Sequence, residues 1–523
     1  MSAQPPVQKE PVKKSPGLLR SSSVVSLMTL MSRVLGLIRD VVVANYFGAR
    51  ADAFFVAFKI PNFFRRLFAE GSFSAAFVPV LSEYKTQQTE QDVRKLIAAV
   101  AGTLLSTLGV LTLVCVAAAP IMTWIFAPGY YKDPAKFQLT AELLRITFPY
   151  LLLISLTAFY GSVLNTYGKF AVPSFTPVLL NLVMIFAVVW MTPWFDEPLM
   201  ALAWGVFLAG VVQFTFQIPF IVRIGMFVRP TFNLRDPGVK RVLILMAPAL
   251  FGVSISQINM LLDVLLASFL EDGSVSWLYY ADRVAQLPLG IFGIALGVVI
   301  LPSLSMRHAA KDPESFQHTL DWGVRMVMLL GIPASLAFAL LAEPLMATIF
   351  YRGEVTSYDI TKMSYALMAY GSGLLAFMLV KVLVPGFFAR QDTKTPVKIG
   401  IVAMVLNMVF NVPMAYIWGH AGLALATTMS AFINAGYLYW ELRREGVYRA
   451  SAETKLWIFK MLLANALMAA ALIYVNPSID EWLHFSEWQR AGWTCTLVVL
   501  GIVVYAAALL FQGLRLRHLR GPA

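Results

Sequence analysis

Fourteen apolar segments follow one another from about residue 24 onward, each long enough to cross a bilayer as a helix of ~20 residues. They start near positions 24, 53, 97, 139, 172, 199, 242, 275, 326, 360, 397, 421, 456 and 491, parted by polar, proline and glycine clusters. The expected fold class is therefore an all-α polytopic membrane protein with 14 transmembrane helices. Composition agrees, since 59% of the 523 residues are hydrophobic, only 13% are charged, and the mean hydropathy is +0.70. The net charge of +12 is not a nucleic-acid signature, because the basic residues gather in loops and tails between apolar runs.

Other chemistry finds little support. Cys115 and Cys495 both lie in apolar stretches and build neither a disulfide framework nor a metal site. The histidines (His308, His318, His420, His484 and His518) sit at or beyond span ends, and no HExxH, CxxC or P-loop pattern occurs. Residues 1–20 read as a disordered cytoplasmic tail. The span after them is too long for a signal-peptide core and no A-x-A site closes it, so a retained helix is expected.

Lysine and arginine set the orientation. Arg223, Arg229, Arg235, Lys240 and Arg241 follow the sixth span, Arg390, Lys394 and Lys398 the tenth, and Arg515, Arg517 and Arg520 close the chain. The N-tail adds Lys9, Lys13, Lys14 and Arg20, whereas the loops at 192–198, 270–274 and 476–482 are poor in base. Both termini are expected in the cytoplasm.

The two halves echo each other. Residues 118–129 match 342–353 at an offset of 224, while Asp40 onward matches Asp263 onward, and Val78-Pro79 matches Leu301-Pro302, at 223. Six helices per repeat keep both copies in one orientation, so the repeats are parallel, and such folds hold substrate near the midplane between halves. The expected division is a tail at 1–20, a six-helix lobe at 21–230, a second at 231–450, and two extra helices with a basic tail at 451–523.

Charges inside the spans carry the functional signal. Arg33 lies more than ~10 Å from either end of the first span at ~1.5 Å per residue, where a charge costs ~2.5–3.5 kcal/mol and faces a partner or a water-filled cavity. Asp52, Lys59 and Arg66 are seven apart, nearly on one face, with Pro61 between them. Arg66 and Glu70 are spaced to pair, Arg65 has no obvious local partner, and Lys381 lies deep in the tenth span. The excess of cations suggests an electropositive cavity for a phosphorylated, pyrophosphate-bearing substrate, because arginine forks suit phosphate oxygens. The alternative is closed pairing with Asp40, Asp52 and Asp282.

Ser32–Asp40 (SRVLGLIRD), Asp52–Tyr84, Trp277–Arg283 (WLYYADR) and Val380–Lys398 closely resemble the MviN/MurJ family of lipid II flippases. The resemblance runs from about residue 22 to the C-terminus. It implies two six-helix lobes of the multidrug/oligosaccharidyl-lipid/polysaccharide exporter type plus two extra helices that form a groove for a lipid tail. It implies lipid II, the undecaprenyl-pyrophosphate-linked peptidoglycan precursor, as cargo, moved from the cytoplasmic to the periplasmic leaflet of the bacterial inner membrane. Arg33, Arg39, Asp52, Arg65 and Arg283 match its central-cavity positions, the arginines meeting pyrophosphate and Asp52 orienting one of them. A sodium ion is the one expected cofactor, at Asp263, Asn407, Asn411 and Thr427, which offer oxygen ligands. The alternative there is a neutral, hydrogen-bonded Asp263. Membrane lipid and other cell-wall synthesis proteins are further expected partners.

Three rivals remain to be weighed. A cation-coupled multidrug exporter would want an acidic or aromatic cavity. A flippase for another polyprenyl-pyrophosphate-linked glycan shares the charge chemistry and differs in motifs. A membrane glycosyltransferase would need a catalytic site in a sizeable loop, and none here is long enough, so a transporter without catalytic residues is expected.

Overall fold

The computed structural model describes residues 18–68, 72–290 and 294–515. Most of the predicted tail, with Lys9, Lys13 and Lys14, lies outside these residues, as do Glu70, Arg517 and Arg520. Helix already begins at Leu18, inside the stretch expected to be a tail.

All fourteen predicted segments fall on helix, and no strand occurs among the described residues. The first lobe comprises α1 (Leu18–Phe47), α2 (Asp52–Phe68), α3 (Ser72–Gln87), α4 (Glu90–Ala117), α5 (Ala119–Phe126), α6 (Pro134–Thr147), α7 (Tyr150–Thr166), α8 (Ala171–Phe186) and α9 (Met200–Arg223). The second comprises α10 (Pro237–Ala267), α11 (Ser274–Pro288), α12 (Ile294–Ala309), α13 (Pro313–Leu340), α14 (Ala342–Phe350), α15 (Ser357–Ser372), α16 (Leu374–Phe388) and α17 (Lys394–Arg444). α18 (Ala452–Val475), the short α19 (Ile479–His484) and α20 (Glu487–Phe511) follow.

Among the described residues nine helical stretches are long and apolar enough to cross a membrane, α6 with α7 and α15 with α16 each counting as one. The protein is a multi-pass membrane protein. α17 holds two predicted segments, because Gly419 breaks it with φ 58° and ψ −137°. α1, α2 and α11 are not among the nine; they carry Arg33, Arg39, Asp40, Lys59, Arg65, Arg66, Asp282 and Arg283.

Side chains fix several helix starts. Thr89 caps α4, Asp133 caps α6, Asp236 caps α10, and Thr356 with Asp359 forms a capping box on α15. The repeat is visible in the elements. α5 and α14 are short helices that follow the long α4 and α13, and α3 and α12 each hold an internal proline, Pro79 and Pro302.

The lobes meet face to face at the end where α1 stops and α2 begins. A Cβ on Gly129 would lie 2.0 Å from the Ser268 carbonyl oxygen, and one on Gly353 would lie 2.1 Å from that of Asn45. These contacts are reciprocal, because Asn45 and Ser268 are 223 apart and Gly129 and Gly353 are 224 apart. The Glu354 amide donates to the Asn45 carbonyl at 3.0 Å, and the Gly129 amide to Ser268 Oγ at 3.1 Å. Beneath them one core spans both lobes, with Phe54, Phe55 and Phe58 of α2 packed together with Trp277, Tyr280 and Phe350.

The last helices dock on the second lobe through buried polar groups. Asp321 of α13 accepts from Tyr448 at 3.0 Å and Thr454 at 2.6 Å and pairs with Arg325 at 2.8 Å. Arg490 of α20 donates to the carbonyls of Ala347 and Tyr351. The outward faces of α18 and α20 are apolar, with Phe459, Leu467, Val499, Ile502 and Phe511 exposed.

Candidate functional site: an arginine-rich cavity between the lobes

Three adjoining cavities of about 360, 300 and 370 Å³ lie between α1, α2 and α8 of the first lobe and α10, α11, α16 and α17 of the second. Seven cations line them (Arg33, Arg39, Lys59, Arg65, Arg66, Arg283 and Lys381) against three carboxylates, Asp40, Asp263 and Asp282. Such an excess favours an anionic occupant, and the size suits a headgroup.

A hydrogen-bonded cluster at the cavity wall joins the lobes. Arg39 is buried, and its Nε and Nη2 donate to Asp40 Oδ1 at 3.0 and 2.6 Å. Nη1 donates to Asn181 Oδ1 of α8 at 3.2 Å, and Asn181 Nδ2 in turn donates to the Ser32 carbonyl. From α11, Arg283 pairs with Asp40 Oδ2 at 3.2 Å. The Tyr279 hydroxyl accepts from Arg39 Nη2 at 3.0 Å and from Arg283 Nη2 at 3.1 Å, and donates to Asp40 Oδ1 at 3.1 Å. One carboxylate thus serves two guanidiniums from two lobes. Arg39 has nearly all its N–H groups engaged, whereas the Arg283 side chain is 40% exposed, lines the cavity, and makes no hydrogen bond through Nη1 among the described residues.

The remaining predicted residues are placed as follows. Arg33 lines the mouth of the cavity and makes no ion pair or hydrogen bond among the described residues. Its guanidinium lies where a side chain on residue 290 would be, since a Cβ on Gly290 would meet Arg33 Nη1 at 1.6 Å. Arg65 lines the cavity and, against expectation, has a local partner, its Nε donating to Asn62 Oδ1 one turn earlier at 2.9 Å. Arg66 reaches across to Gln257 of α10 at 3.4 Å, and its expected partner Glu70 lies outside the described residues.

Asp52 departs from expectation. It does not line the cavity and orients none of its arginines. Its carboxylate accepts from the amides of Gly273 at 2.8 Å and Ser276 at 2.7 Å, at the start of α11. The residue at that cap is Gly273, with φ +98° and no side chain, so the first lobe supplies the capping carboxylate that the second lacks. Lys136 completes the cluster, bridging Asp52 at 3.2 Å and Asp272 at 2.6 Å. Asp52 is a cross-lobe clasp at the closed end. The spacing of seven did place Asp52, Lys59 and Arg66 near one face, but each step of seven moves ~10 Å along the helix, which separates the clasp from the cavity.

A family model described as lipid II flippase MurJ matches residues 43–491. The chain belongs to the lipid II flippase MurJ family. The protein named "Probable lipid II flippase MurJ" in Vibrio cholerae is 50% identical over 518 residues, covering 97% of this chain and 99% of that one. A solved structure of a lipid II flippase MurJ in an inward closed conformation superposes with a TM-score of 0.79 at 26% identity, covering 94% of this chain and 98% of its own. An inward-facing multidrug MATE transporter of the MOP superfamily gives a TM-score of 0.62 at 14% identity, over 82% of this chain and 98% of its own, a likeness of fold alone.

The residues expected to hold a cation form one chain of hydrogen bonds. Asn411 Nδ2 donates to Asp263 Oδ1 at 2.8 Å and to Asn407 Oδ1 at 3.2 Å, and Asn407 Nδ2 donates to Thr427 Oγ1 at 3.3 Å. Asn411 Oδ1 is buried without a hydrogen-bond partner among the described residues. The donor set fits a hard cation, because turning the Asn411 amide would bring that oxygen beside those of Asp263 and Asn407, with Thr427 Oγ1 next along the chain of bonds. Asp263 and Thr427 also line the arginine cavity.

Sequence reasoning missed Tyr279 and Asn181. Tyr279 could have been found from its place one turn before Arg283 in the WLYYADR run. Asn181 is 142 residues from Arg39, and nothing local points to it.

Proposed function

We propose that this protein moves lipid II from the cytoplasmic to the periplasmic leaflet of the bacterial inner membrane by alternating access, with both its termini in the cytoplasm. The observation that carries the reading is the convergence of arginines from both lobes on one cavity, with Arg39 and Arg283 sharing Asp40. A pyrophosphate brings the negative charge that this cation excess lacks. Arg283, Arg33 and Lys59 supply donors at the cavity wall, and Arg65 supplies charge. Arg39 acts in this state as a strut, its fork engaged by Asp40, Asn181 and Tyr279. Release to the periplasm requires parting the Asp52–Lys136–Asp272 clasp and the two glycine contacts, which close that side. The polyprenyl chain stays in lipid against the apolar faces of α18 and α20.

Binding of lipid II by purified protein tests the reading. Arg283→Ala should weaken it at least tenfold, and a monophosphate-linked analogue should bind less tightly than lipid II to the unaltered protein. Equal affinity across both comparisons would count against a pyrophosphate cradle.

Sodium, held by Asp263, Asn407, Asn411 and Thr427, is the cation we assign to the second-lobe site, where it supplies a fixed positive charge. Sodium should raise the melting temperature relative to potassium at matched ionic strength, and Asp263→Ala should remove that response. A melting temperature indifferent to sodium would discard the site.

A further inference from the structure

We propose that Tyr279 is a positioning residue. Its hydroxyl draws Arg39 of the first lobe and Arg283 of the second to one point beside Asp40, and so sets how Arg283 is presented to the cargo. The inference rests on the transport reading above and adds a residue to it.

The phenolic oxygen has two lone pairs and one proton, and the structure uses all three. It accepts from Arg39 Nη2 at 3.0 Å and from the Arg283 fork, Nη2 at 3.1 Å and Nε at 3.3 Å, and it donates to Asp40 Oδ1 at 3.1 Å. Two guanidiniums side by side repel, and one carboxylate offsets only one of them. A hydroxyl oxygen between them provides each with an acceptor without adding a charge. The ring is fixed as well. It stacks on Phe55 of α2 with centroids 3.9 Å apart and planes 23° apart, and the Arg283 guanidinium lies 5.2 Å from its centroid. Tyr279 therefore has a first-lobe ring on its face and a first-lobe ion pair at its tip while belonging to the second lobe.

Tyr279→Phe separates positioning from packing, because it keeps the ring on Phe55 and removes only the oxygen. Arg39 and Arg283 each lose an acceptor, and Asp40 loses a donor. Two readouts decide. Lipid II binding by the purified full chain should fall about tenfold, the size expected for losing hydrogen bonds to charged groups, with a melting temperature close to that of the unaltered protein. Disulfide cross-linking between Asn45→Cys and Glu354→Cys, in a background with the exposed Cys495 replaced by serine, should also fall, because a cross-lobe tie is gone. Unchanged binding together with unchanged cross-linking would overturn the proposal, and so would a binding loss that only follows a lowered melting temperature. Failure of the unaltered protein to bind lipid II would instead sink the transport reading, and the cross-linking comparison would still decide for or against the Tyr279 tie.

Discussion

Arg39 and Arg283 carry the same charge but are held differently, so their lysine variants should part company. Arg39 divides three nitrogens among Asp40, Asn181 and Tyr279, a pattern that one ammonium cannot copy. Arg283 offers an exposed edge to the cavity, where a positive charge alone keeps part of the attraction. In cells that depend on this chain, Arg39→Lys should fail to support growth at normal membrane levels, and Arg283→Lys should support it partly. Full growth with Arg39→Lys would contradict the strut assignment. At this scale the sequence was partly legible. The depth of Arg33 in an apolar run announced a cavity, and Arg33 does line one. The expected choice between a free cavity and closed ion pairs turned out to divide by residue: Arg39 is closed onto Asp40, whereas Arg33 is open. Asp40, next to Arg39, was a visible candidate partner, but Asn181 and Tyr279, which complete the closure, arrive from helices far along the chain.

Among the elements, α11 depends on the other lobe for its N-terminal cap. Loss of a capping carboxylate costs about 0.5–2 kcal/mol, enough to shift a two-state lobe equilibrium from about twofold to about thirtyfold. Asp52→Ala should therefore lower cross-linking between the Asn45 and Glu354 positions by weakening closure, with Arg283 left in place. Gly353→Ala should do the same by a different route. Its φ is +56°, and a methyl group would press on the Asn45 carbonyl, which is backbone and has little room to yield. Unchanged cross-linking in both variants would mean that the clasp and the glycine contact do not hold this end shut. Helix positions were readable because apolar length fixes them, and the repeat was readable because its three matches lie at nearly one offset, 223 or 224. The short helices α5 and α14, which follow α4 and α13, do not appear among the segments read from apolar length. The cavity role of Asp52 came from the resemblance alone; its place at the first residue of α2, ~10 Å along the axis from Lys59, puts it at the clasp instead.

In the whole molecule, two lobes, one electropositive cavity and one closed end make a carrier for lipid II. The parallel repeat explains why closure is made by matched contacts, Gly129 on Ser268 and Gly353 on Asn45, near the Asp52 clasp. Parting that end while the cavity holds its anion would transfer the headgroup and leave the polyprenyl chain in lipid. The most direct test is the fraction of lipid II accessible from the periplasm in cells whose only flippase is this chain, measured with the protein present, depleted, or replaced by Arg283→Ala. Total lipid II should rise while the accessible fraction collapses on depletion, and the Arg283→Ala variant should behave as depletion does. An accessible fraction that stays at its starting level in depleted cells would rule out this carrier role.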